Sequence, residues 1–312
     1  MSDFPPLVSV VIPSYNSESY IRETLDSILA QTFRDFEILV VDDGSTDHTR
    51  DLVSAYGAPV RLITQQNAGV CAARNHGIQQ ARGQYICLVD HDDYWFPHKL
   101  SGQLEQLQTH PEVGVVFSWF HYWEPDSDGH FPTPSSIDLS HYPDGVSEKY
   151  SGWIYHQFLL DCWMQTSTAT FRREVFDRCG TFDESLPYSE DWDLWIRISR
   201  EYPFLMLERP DTLYRQHPQQ GNRAVRPIDY RTRLLSHSVA KWGLHSPDGR
   251  GLPKRVFNRQ LSKYHADYGR HQLQAGHVVH ALQAFWKAWK RSPAHWKCGA
   301  YMVAALVGWR PR

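Results

Sequence analysis

The chain has 312 residues, of which 32 are Lys or Arg and 35 are Asp or Glu, so its formal charge at pH 7 is −3. This length fits about two domains of roughly 150 residues each, and the near-neutral charge excludes a globally basic nucleic-acid-binding protein, so we expect no nucleic-acid partner. Five cysteines without a C-x-x-C pair argue against a disulfide framework or a zinc knuckle and favour a reducing, cytoplasmic compartment. No secretory signal is expected, because residues 1–11 show no basic region followed by an apolar stretch. No membrane span is expected, because the longest nearly apolar run, Cys298–Trp309, has 12 residues where a span needs about 20.

The first third of the chain alternates short β-branched runs with helical spacing. Val8–Ile12, ended by Pro13, and Phe36–Val41 are predicted strands, and the apolar residues of 21–29 recur on one face of a helix between them. The alternation continues with strands at 60–63, 85–89 and 113–117, and with helices near 70–80 and 100–107. This pattern predicts an α/β fold with a mostly parallel sheet and helices on both faces.

The remainder divides into three parts. Residues 120–147 are rich in Pro, Asp, Ser and His and predict a long surface loop. A strand at 168–171, a short helix ended by Gly180 and a helix over 192–199 follow. Beyond Asn222 the chain turns to helices rich in Trp, His and Arg, so we predict a catalytic domain over 1–221 and a C-terminal helical region over 222–312.

The end of the chain is basic and rich in tryptophan. No acidic residue follows Asp267, whereas Lys, Arg and Trp alternate at helical spacing up to Trp309, Arg310 and Arg312. This pattern is typical of a helix that lies on an anionic membrane surface, and equally of a helical hairpin whose charges are simply solvated. The two alternatives are compatible, and both stay open.

Polar side chains follow the predicted strands where ligands bind in open parallel sheets. Asp90 and Asp92, with Asp93 beside them, form a D-x-D group suited to Mg²⁺ or Mn²⁺, although aspartates are also common in turns. Asp43 can accept a hydrogen bond from the N3–H of uracil or thymine, or from N1–H and N2–H of guanine, but not from N3 of unprotonated cytosine, which carries no hydrogen. Tyr15 can stack on that base, and Arg74 can pair with phosphates.

A second group of acids opens the helix near residue 192. Glu190 and Asp191 either complement the helix dipole or supply chemistry, with Asp191 as a general base for an attacking hydroxyl. Trp192 offers a flat platform for an acceptor sugar ring, or packs in the core.

Five motifs in order resemble the family-2 glycosyltransferases over roughly residues 6–220. They are VVIPSYN at 10–16, VDDGSTD at 41–47, NAGVCAARNHG at 67–77, VDHDD at 89–93 and EDWDLW at 190–195. The resemblance implies the Rossmann-like GT-A fold, a nucleotide-sugar donor, a divalent metal (Mn²⁺ or Mg²⁺) and inversion at the anomeric carbon.

The resemblance also implies a nucleotide-binding set. Pro13 belongs to this set with Tyr15, which is similar to the base-stacking residue, and Asp43 is similar to the carboxylate that binds the base. Arg74 resembles the arginine near the diphosphate, and Asp90 the acid near the ribose.

Metal and catalytic positions follow in the same way. Asp92 is similar to the metal ligand, and Asp191, next to Glu190, matches the catalytic base. His217, in the YRQH element at 214–217, resembles a residue that contacts the diphosphate or the metal, although a loop histidine is also commonly a surface residue.

Alternatives remain for the activity. A sugar nucleotidyltransferase normally has a glycine-rich basic phosphate loop near the N-terminus, which is missing here, and a catalytically decayed nucleotide-sugar-binding protein has lost acids that this chain retains. The Q-x-x-R-W element of processive synthases is also missing, so we expect transfer of one sugar per encounter. The favoured donor is a UDP- or dTDP-sugar, and the favoured acceptor is a glycan or lipid-linked glycan at the inner face of a bacterial membrane, in cell-surface polysaccharide synthesis.

Overall fold

The computed structural model describes residues 5–218, 220 and 226–306. These residues form two compact units. The first consists of the described residues of Met1–Ile154 and Cys162–Gln219, and the second of those of Tyr155–Asp161 and Gln220–Arg312. Every predicted site residue lies in the first unit. The expected domain boundary at Asn222, and the basic residues after 306, lie outside the described residues.

The described strands and helices follow the alternating order that the sequence predicts. The strands are β1 (Val8–Ser14), β2 (Phe36–Asp42), β3 (Val60–Thr64), β4 (Tyr85–Leu88), β5 (Tyr94–Trp95), β6 (Val115–Trp123), β7 (Ala169–Arg172) and β8 (Phe204–Arg215). The helices are α1 (Ile21–Leu29), α2 (Thr49–Ser54), α3 (Val70–Gln80), α4 (Lys99–Thr109), α5 (Tyr155–Phe158), α6 (Arg173–Cys179), α7 (Glu190–Ile198), α8 (Tyr230–Trp242), α9 (Lys254–Gln274), α10 (Val278–Arg291) and α11 (Lys297–Leu306).

The strands of the first unit form one sheet in the order β3-β2-β1-β4-β7-β6-β8-β5. The half made of β3, β2, β1 and β4 is entirely parallel. β7 runs antiparallel to both β4 and β6, β6 and β8 are parallel, and β5 is antiparallel to β8. The mostly parallel sheet is therefore confirmed, with β7 and β5 as its reversed strands.

Helices cover both faces of this sheet. The even-numbered residues Val8, Val10 and Ile12 of β1 pack in one core with the apolar residues of α1 and α4. The odd-numbered Val11 faces α3, where a Cβ on Gly77 would lie 2.2 Å from a Val11 methyl group. Side chains alternate along a strand, so α3 lies on the opposite face from α1, and Gly77 permits its close approach.

Two boundaries differ from the sequence prediction. β1 continues through Pro13 to Ser14. The Val11 carbonyl accepts a hydrogen bond from the Val89 N–H, so the backbone of Val11 faces β4. The backbone of Pro13, two residues later, faces the same side, but β4 has already ended at Leu88. Proline therefore interrupts no hydrogen bond between the two strands, although it has no N–H.

The predicted loop also begins later than expected. Residues 120–123 belong to β6, where they pair with 212–215 of β8 beyond an irregularity at Ser118/Phe120. They are aromatic or histidine residues, and aromatic side chains favour strands. The irregular segment therefore starts at Glu124.

The second unit is helical, as the sequence predicts. Its core joins α9, α10 and α11 through small residues and Phe285, and a Cβ on Gly269 would lie 2.8 Å from the Phe285 ring. Gly276, with φ of 84°, separates α9 from α10. None of the described helices combines the length and the apolar character that a membrane span requires.

Candidate active site

The carboxyl ends of three parallel strands meet at one edge of the sheet. Ser14 of β1 pairs with Asp42 of β2, and the Asp43 N–H donates to the Ser14 carbonyl at 2.8 Å. On the other side of β1, β4 ends opposite Val11. Tyr15, Asp43 and Asp90 therefore follow neighbouring strands at the edge where ligands bind in such sheets.

The turn after β1 is tied to the turn after β2. Asn16 has a left-handed φ of 49°, which asparagine tolerates better than most residues. Its N–H donates to the Ser45 hydroxyl at 2.9 Å, and its side-chain oxygen accepts the Thr46 N–H at 2.8 Å. Tyr15 is 47% exposed at this corner, so its ring is available to a ligand.

Asp43 is buried, and its carboxylate already accepts three hydrogen bonds. Oδ1 accepts from the Gln65 amide at 2.8 Å and from the Ala68 N–H at 2.9 Å, and Oδ2 accepts from the Gly69 N–H at 2.8 Å. The Gln65 oxygen lies 2.8 Å from Nδ1 of His76. Since a carboxylate has about four acceptor positions, one position on Oδ2 remains for a ligand.

Arg74 joins the end of β4 to the start of α7. Its guanidinium donates to Asp90 at 2.7 Å and to Glu190 at 3.1 Å, and it lies 5.1 Å from the centre of the Phe182 ring. Burial alone would lower the pKa of Arg74, but the two carboxylates raise it above its ordinary value. Only 4% of this residue is exposed, so it positions the two acids, and its contact with a diphosphate stays a prediction.

The D-x-D group and His217 are brought together, although 125 residues separate Asp92 from the histidine. The Asp92 carboxylate lies 2.8 Å from Nε2 of His217, and Asp92 is only 8% exposed. Burial would raise the pKa of Asp92, but the His217 hydrogen bond and the nearby His91 hold it below its ordinary value. Burial and the neighbouring acids raise the pKa of Asp93 well above the usual range. His217 is thus a buried partner of the acidic turn and not a surface residue.

Arg215 completes this arrangement and was missed in the sequence analysis. It is buried, its Nε donates to the Asp92 carbonyl at 2.7 Å, and its backbone N–H donates to Asp93 at 3.2 Å. Its guanidinium lies 3.9 Å from the centre of the Trp123 ring. These contacts fix the end of β8 against the acidic turn, so that His217 reaches Asp92. The YRQH element was the available signal, but only its histidine was selected.

The two acids at the start of α7 have different partners. The helix follows Ser189, whose φ of 63° is left-handed. Glu190 is paired with Arg74, whereas Asp191 accepts its nearest hydrogen bond from the adjoining Trp192 N–H at 2.6 Å. Burial and the Glu190 charge raise the pKa of Asp191 to about 7. A carboxyl group of that pKa is suited to exchange a proton near neutrality.

Trp192 does not form the exposed platform proposed for an acceptor sugar. It is 3% exposed, so its ring packs in the core, which is the second of the two alternatives the sequence leaves open. The physical reason is its position on α7, where Trp195 and Ile196, three and four residues later on the same face, are also buried.

A buried ion pair below the sheet edge was also missed. The Lys99 ammonium contacts Asp211 at 3.1 Å, and the same carboxylate accepts from Gln103 at 2.6 Å and from the Ser118 hydroxyl at 2.5 Å. Lys99 and Gln103 are four residues apart on α4, beside the apolar stripe of its leucines. The network links α4 to β6 and β8. Nothing in the sequence around Lys99 indicates that its partner is Asp211.

Metal-binding capacity differs between two places. Among the described residues, the one group of three close potential ligands is Asp126, Asp128 and His130, all exposed in the loop after β6. Asp92 and His217 instead form a buried pair. A cation bound there would take its other ligands from a diphosphate and water, as Mg²⁺ commonly does.

Residues 9–180 match the sequence profile of glycosyl transferase family 2. The chain belongs to this family. The motif-based resemblance is therefore confirmed.

Two glycosyltransferases are similar to about two thirds of this chain. A glycosyltransferase of Rickettsia typhi is 33% identical over 206 residues, which are 63% of this chain and 60% of that protein. The Escherichia coli enzyme WfaP, a UDP-Glc:α-D-GlcNAc-diphosphoundecaprenol β-1,3-glucosyltransferase, is 34% identical over 220 residues, which are 68% of this chain and 78% of that protein. The match to the Rickettsia typhi protein thus spans less than two thirds of that protein's length.

Solved structures share the GT-A fold. Staphylococcus aureus TarS 1–349 in complex with UDP-GlcNAc aligns with a TM-score of 0.61 at 20% identity, over 96% of this chain and 87% of that one. The mannosyltransferase PcManGT of Pyrobaculum calidifontis, in complex with GDP-Man and Mn²⁺, aligns with a TM-score of 0.56 at 22% identity, over 98% of this chain and 86% of that one.

Proposed function

We propose that this protein is an inverting, metal-dependent glycosyltransferase that moves one sugar from a nucleoside-diphosphate sugar to a hydroxyl of a glycan or lipid-linked acceptor in cell-surface polysaccharide synthesis. The observation that carries the proposal is the Asp191 carboxyl, whose pKa lies near 7, next to a Glu190 that Arg74 ties to Asp90 at the sheet edge. Family membership supports the transferase class.

Asp191 is the proposed general base. Glu190 is engaged by Arg74, so the carboxylate left to take a proton from the acceptor hydroxyl is Asp191. As the hydroxyl oxygen attacks the anomeric carbon, its proton passes to Asp191 and the bond to the diphosphate breaks. A single displacement with one base gives inversion, much as one carboxylate activates water in inverting glycosidases.

Asp92 and His217 are the proposed metal ligands. One carboxylate oxygen and one imidazole nitrogen, buried together at 2.8 Å, suit Mn²⁺, and the acids around them suit Mg²⁺ equally. A bound cation would stabilise the charge that develops on the leaving diphosphate. The Mn²⁺ in the PcManGT complex supports divalent metal use in this fold.

The hydrogen bonds of Asp43 favour a base that presents one donor. Uracil and thymine present a single N3–H, which matches the one acceptor position left on Asp43. Guanine presents N1–H and N2–H together and needs two acceptors. We therefore favour UDP or dTDP as the nucleotide, with Tyr15 stacked on the base.

The acceptor is proposed from a relative. WfaP transfers to a diphosphoundecaprenol-linked sugar, as its name states, and this chain matches 78% of its length. We extend that acceptor class, a sugar on a lipid diphosphate, to this protein and place its action at the cytoplasmic face of a bacterial membrane.

The test is turnover by the purified full chain. Release of UDP or dTDP from a panel of nucleotide sugars should require Mn²⁺ or Mg²⁺ and should rise when a GlcNAc-diphosphate lipid is added. Nucleotide binding without turnover by any donor, in a chain that unfolds cooperatively, would indicate a sugar-nucleotide-binding protein and overturn the proposal.

A further inference from the structure

A cavity of about 590 Å³ lies within the second unit, among α8, α9 and α10. Four of its lining residues are cationic: Arg233, Lys287, Lys290 and Arg291. The acid in its lining, Asp229, is bonded to Nδ1 of His265 at 2.8 Å and so is already engaged. The cavity therefore carries a positive charge that its own walls do not neutralise.

These cations have no ion-pair partner among the residues that the structure describes. Elsewhere in the same unit, Arg231 and Arg270 both pair with Asp267 at 2.6 Å. Neither of these paired arginines lines the cavity. Like charges gathered in one cavity repel one another, so an arrangement of this kind is stabilised by an anionic ligand.

The helix that supplies most of this charge has three distinct faces. At about 100° per residue, Ala281, Phe285 and Ala288 share the face that packs in the helical core. The cavity residues Lys287 and Arg291 share a second face. Exposed apolar residues make up the third.

That third face carries tryptophan and valine. Val279 is 66% exposed, Trp286 47% and Trp289 39%. The two indole rings stack on each other with centroids 5.2 Å apart, and the Lys290 ammonium lies 5.1 Å from the Trp286 ring centre. The exposed aromatic face is thus directly beside the cationic one on α10.

We propose that this face of the second unit binds the surface of an anionic phospholipid bilayer, with the cavity cations on lipid phosphates and the tryptophans at headgroup depth. An amphipathic helix with Lys and Arg beside exposed Trp is the arrangement that lies in a membrane interface. A single-stranded nucleic acid fits less well, because the two indoles stack on each other and the most exposed apolar residue, Val279, offers no ring to a base.

This surface deepens the proposed location at a membrane, but its binding does not depend on catalysis. The probe is co-sedimentation of the full chain with vesicles of phosphatidylcholine alone or with phosphatidylglycerol added. The cavity variant carries Lys287→Gln and Arg291→Gln. The matched control carries Lys254→Gln and Arg255→Gln, which remove the same number of positive charges from exposed positions. These positions are at the N-terminal end of α9, about 16 Å along the helix from His265, which lines the cavity, at 1.5 Å per residue.

We expect the unmodified chain to bind the anionic vesicles, with an affinity that falls as salt is added. The cavity variant should bind at least about tenfold more weakly, and the control should bind like the unmodified chain. Equal binding to both vesicle types would overturn the proposal, as would equal loss in both variants or preferential binding of a single-stranded oligonucleotide. Thermal melts verify that each variant is folded. Asp191→Asn should bind vesicles like the unmodified chain, so failure of catalysis and failure of membrane binding are distinguishable.

Discussion

The sheet edge of the first unit and the cavity of the second unit differ in whether their charged side chains are paired. At the sheet edge of the first unit, Arg74 is shared between two carboxylates and Asp92 contacts His217. In the cavity of the second unit, Lys287 and Arg291 have no such partner among the described residues. Paired charges hold a geometry in advance of the ligand, whereas unpaired charges of one sign keep their capacity for an external anion. The same residue types therefore serve positioning in one region and attraction in the other.

The largest effect is expected for Asp191, which has no ion-pair partner among the residues that the structure describes. Asp191→Asn should reduce sugar transfer by about 100- to 10,000-fold, the range typical for loss of a general base. UDP affinity, measured by calorimetry, should change by less than about twofold.

Asp193→Asn provides the matched control on the same turn of α7. Asp193 pairs with Arg197 at 2.8 Å and has no proposed part in the reaction. Equal loss of activity in both variants, or loss of nucleotide binding with Asp191→Asn, would contradict the assigned role.

Stability should separate the paired cation from the unpaired ones. Arg74→Gln leaves Asp90 and Glu190 without their partner and should lower the free energy of unfolding by about 3–5 kcal/mol in urea denaturation. The cavity variant Lys287→Gln with Arg291→Gln should leave it unchanged or raise it, because like-charge repulsion is relieved.

Arg178→Gln is the control for the loss of an arginine as such. Arg178 pairs with Glu201 on the surface, where solvent screens the interaction, so little change is expected. Similar destabilisation by all three changes would remove the distinction between the regions.

The pH dependence of transfer should follow the raised pKa of Asp191. The rate should increase about tenfold per pH unit below about 7 and level off above it, because the base acts only when deprotonated. Glu190→Gln should move the midpoint to lower pH, since it removes a neighbouring negative charge, and Asp193→Asn should not. An unshifted midpoint in Glu190→Gln would contradict the cause assigned to the raised pKa.

The free energy of unfolding should fall with rising pH because of Asp191, whereas the rate of transfer rises. The pKa of Asp191 is higher in the folded chain than its ordinary value near 4, so the folded state binds more protons between about pH 4 and pH 7. Its contribution to stability is complete below about pH 4 and is lost as the pH rises through about 7. In thermal melts between pH 4 and pH 7, Asp191→Asn should not show this decrease in stability.

The smallest effect is expected for the choice of base. Gln65→Leu removes one donor from Asp43 and frees a second acceptor position, so the preference for UDP over GDP should narrow by several-fold in binding measurements. Gln66→Leu, at the exposed neighbouring position, should leave the preference unchanged. A larger preference for UDP over GDP in Gln65→Leu would contradict the proposal that Asp43 accepts a single hydrogen bond from the base.

Much of the sheet edge could be predicted from the sequence, because strand spacing and the order of motifs are local signals. α3 has the predicted bounds, and Asp43, Asp90 and Asp92 follow the strands as expected. The reversed direction of β7 was not predicted, since a short apolar run carries no information about its pairing partner. Composition alone also could not show that β6 extends into the polar segment.

Side-chain partners were the least accessible part of the site. Arg74 meets Glu190 across 116 positions of sequence, and Lys99 meets Asp211 across 112. Such pairs depend on tertiary packing, so the leucine spacing of α4 marks a helix but not its buried lysine. Trp192 shows the converse case, because its place beside the proposed general base suggests an acceptor-binding role that its burial does not support.

The most direct test of the central claim is the anomeric configuration of the product, read by NMR after transfer from an α-configured UDP-sugar to a GlcNAc-diphosphate lipid in the presence of Mn²⁺. One displacement assisted by Asp191 predicts a β-linked product, formed by the unmodified chain and formed at least about 100-fold more slowly by Asp191→Asn. An α-linked product, or the same β-linked product from Asp191→Asn at an undiminished rate, would contradict it.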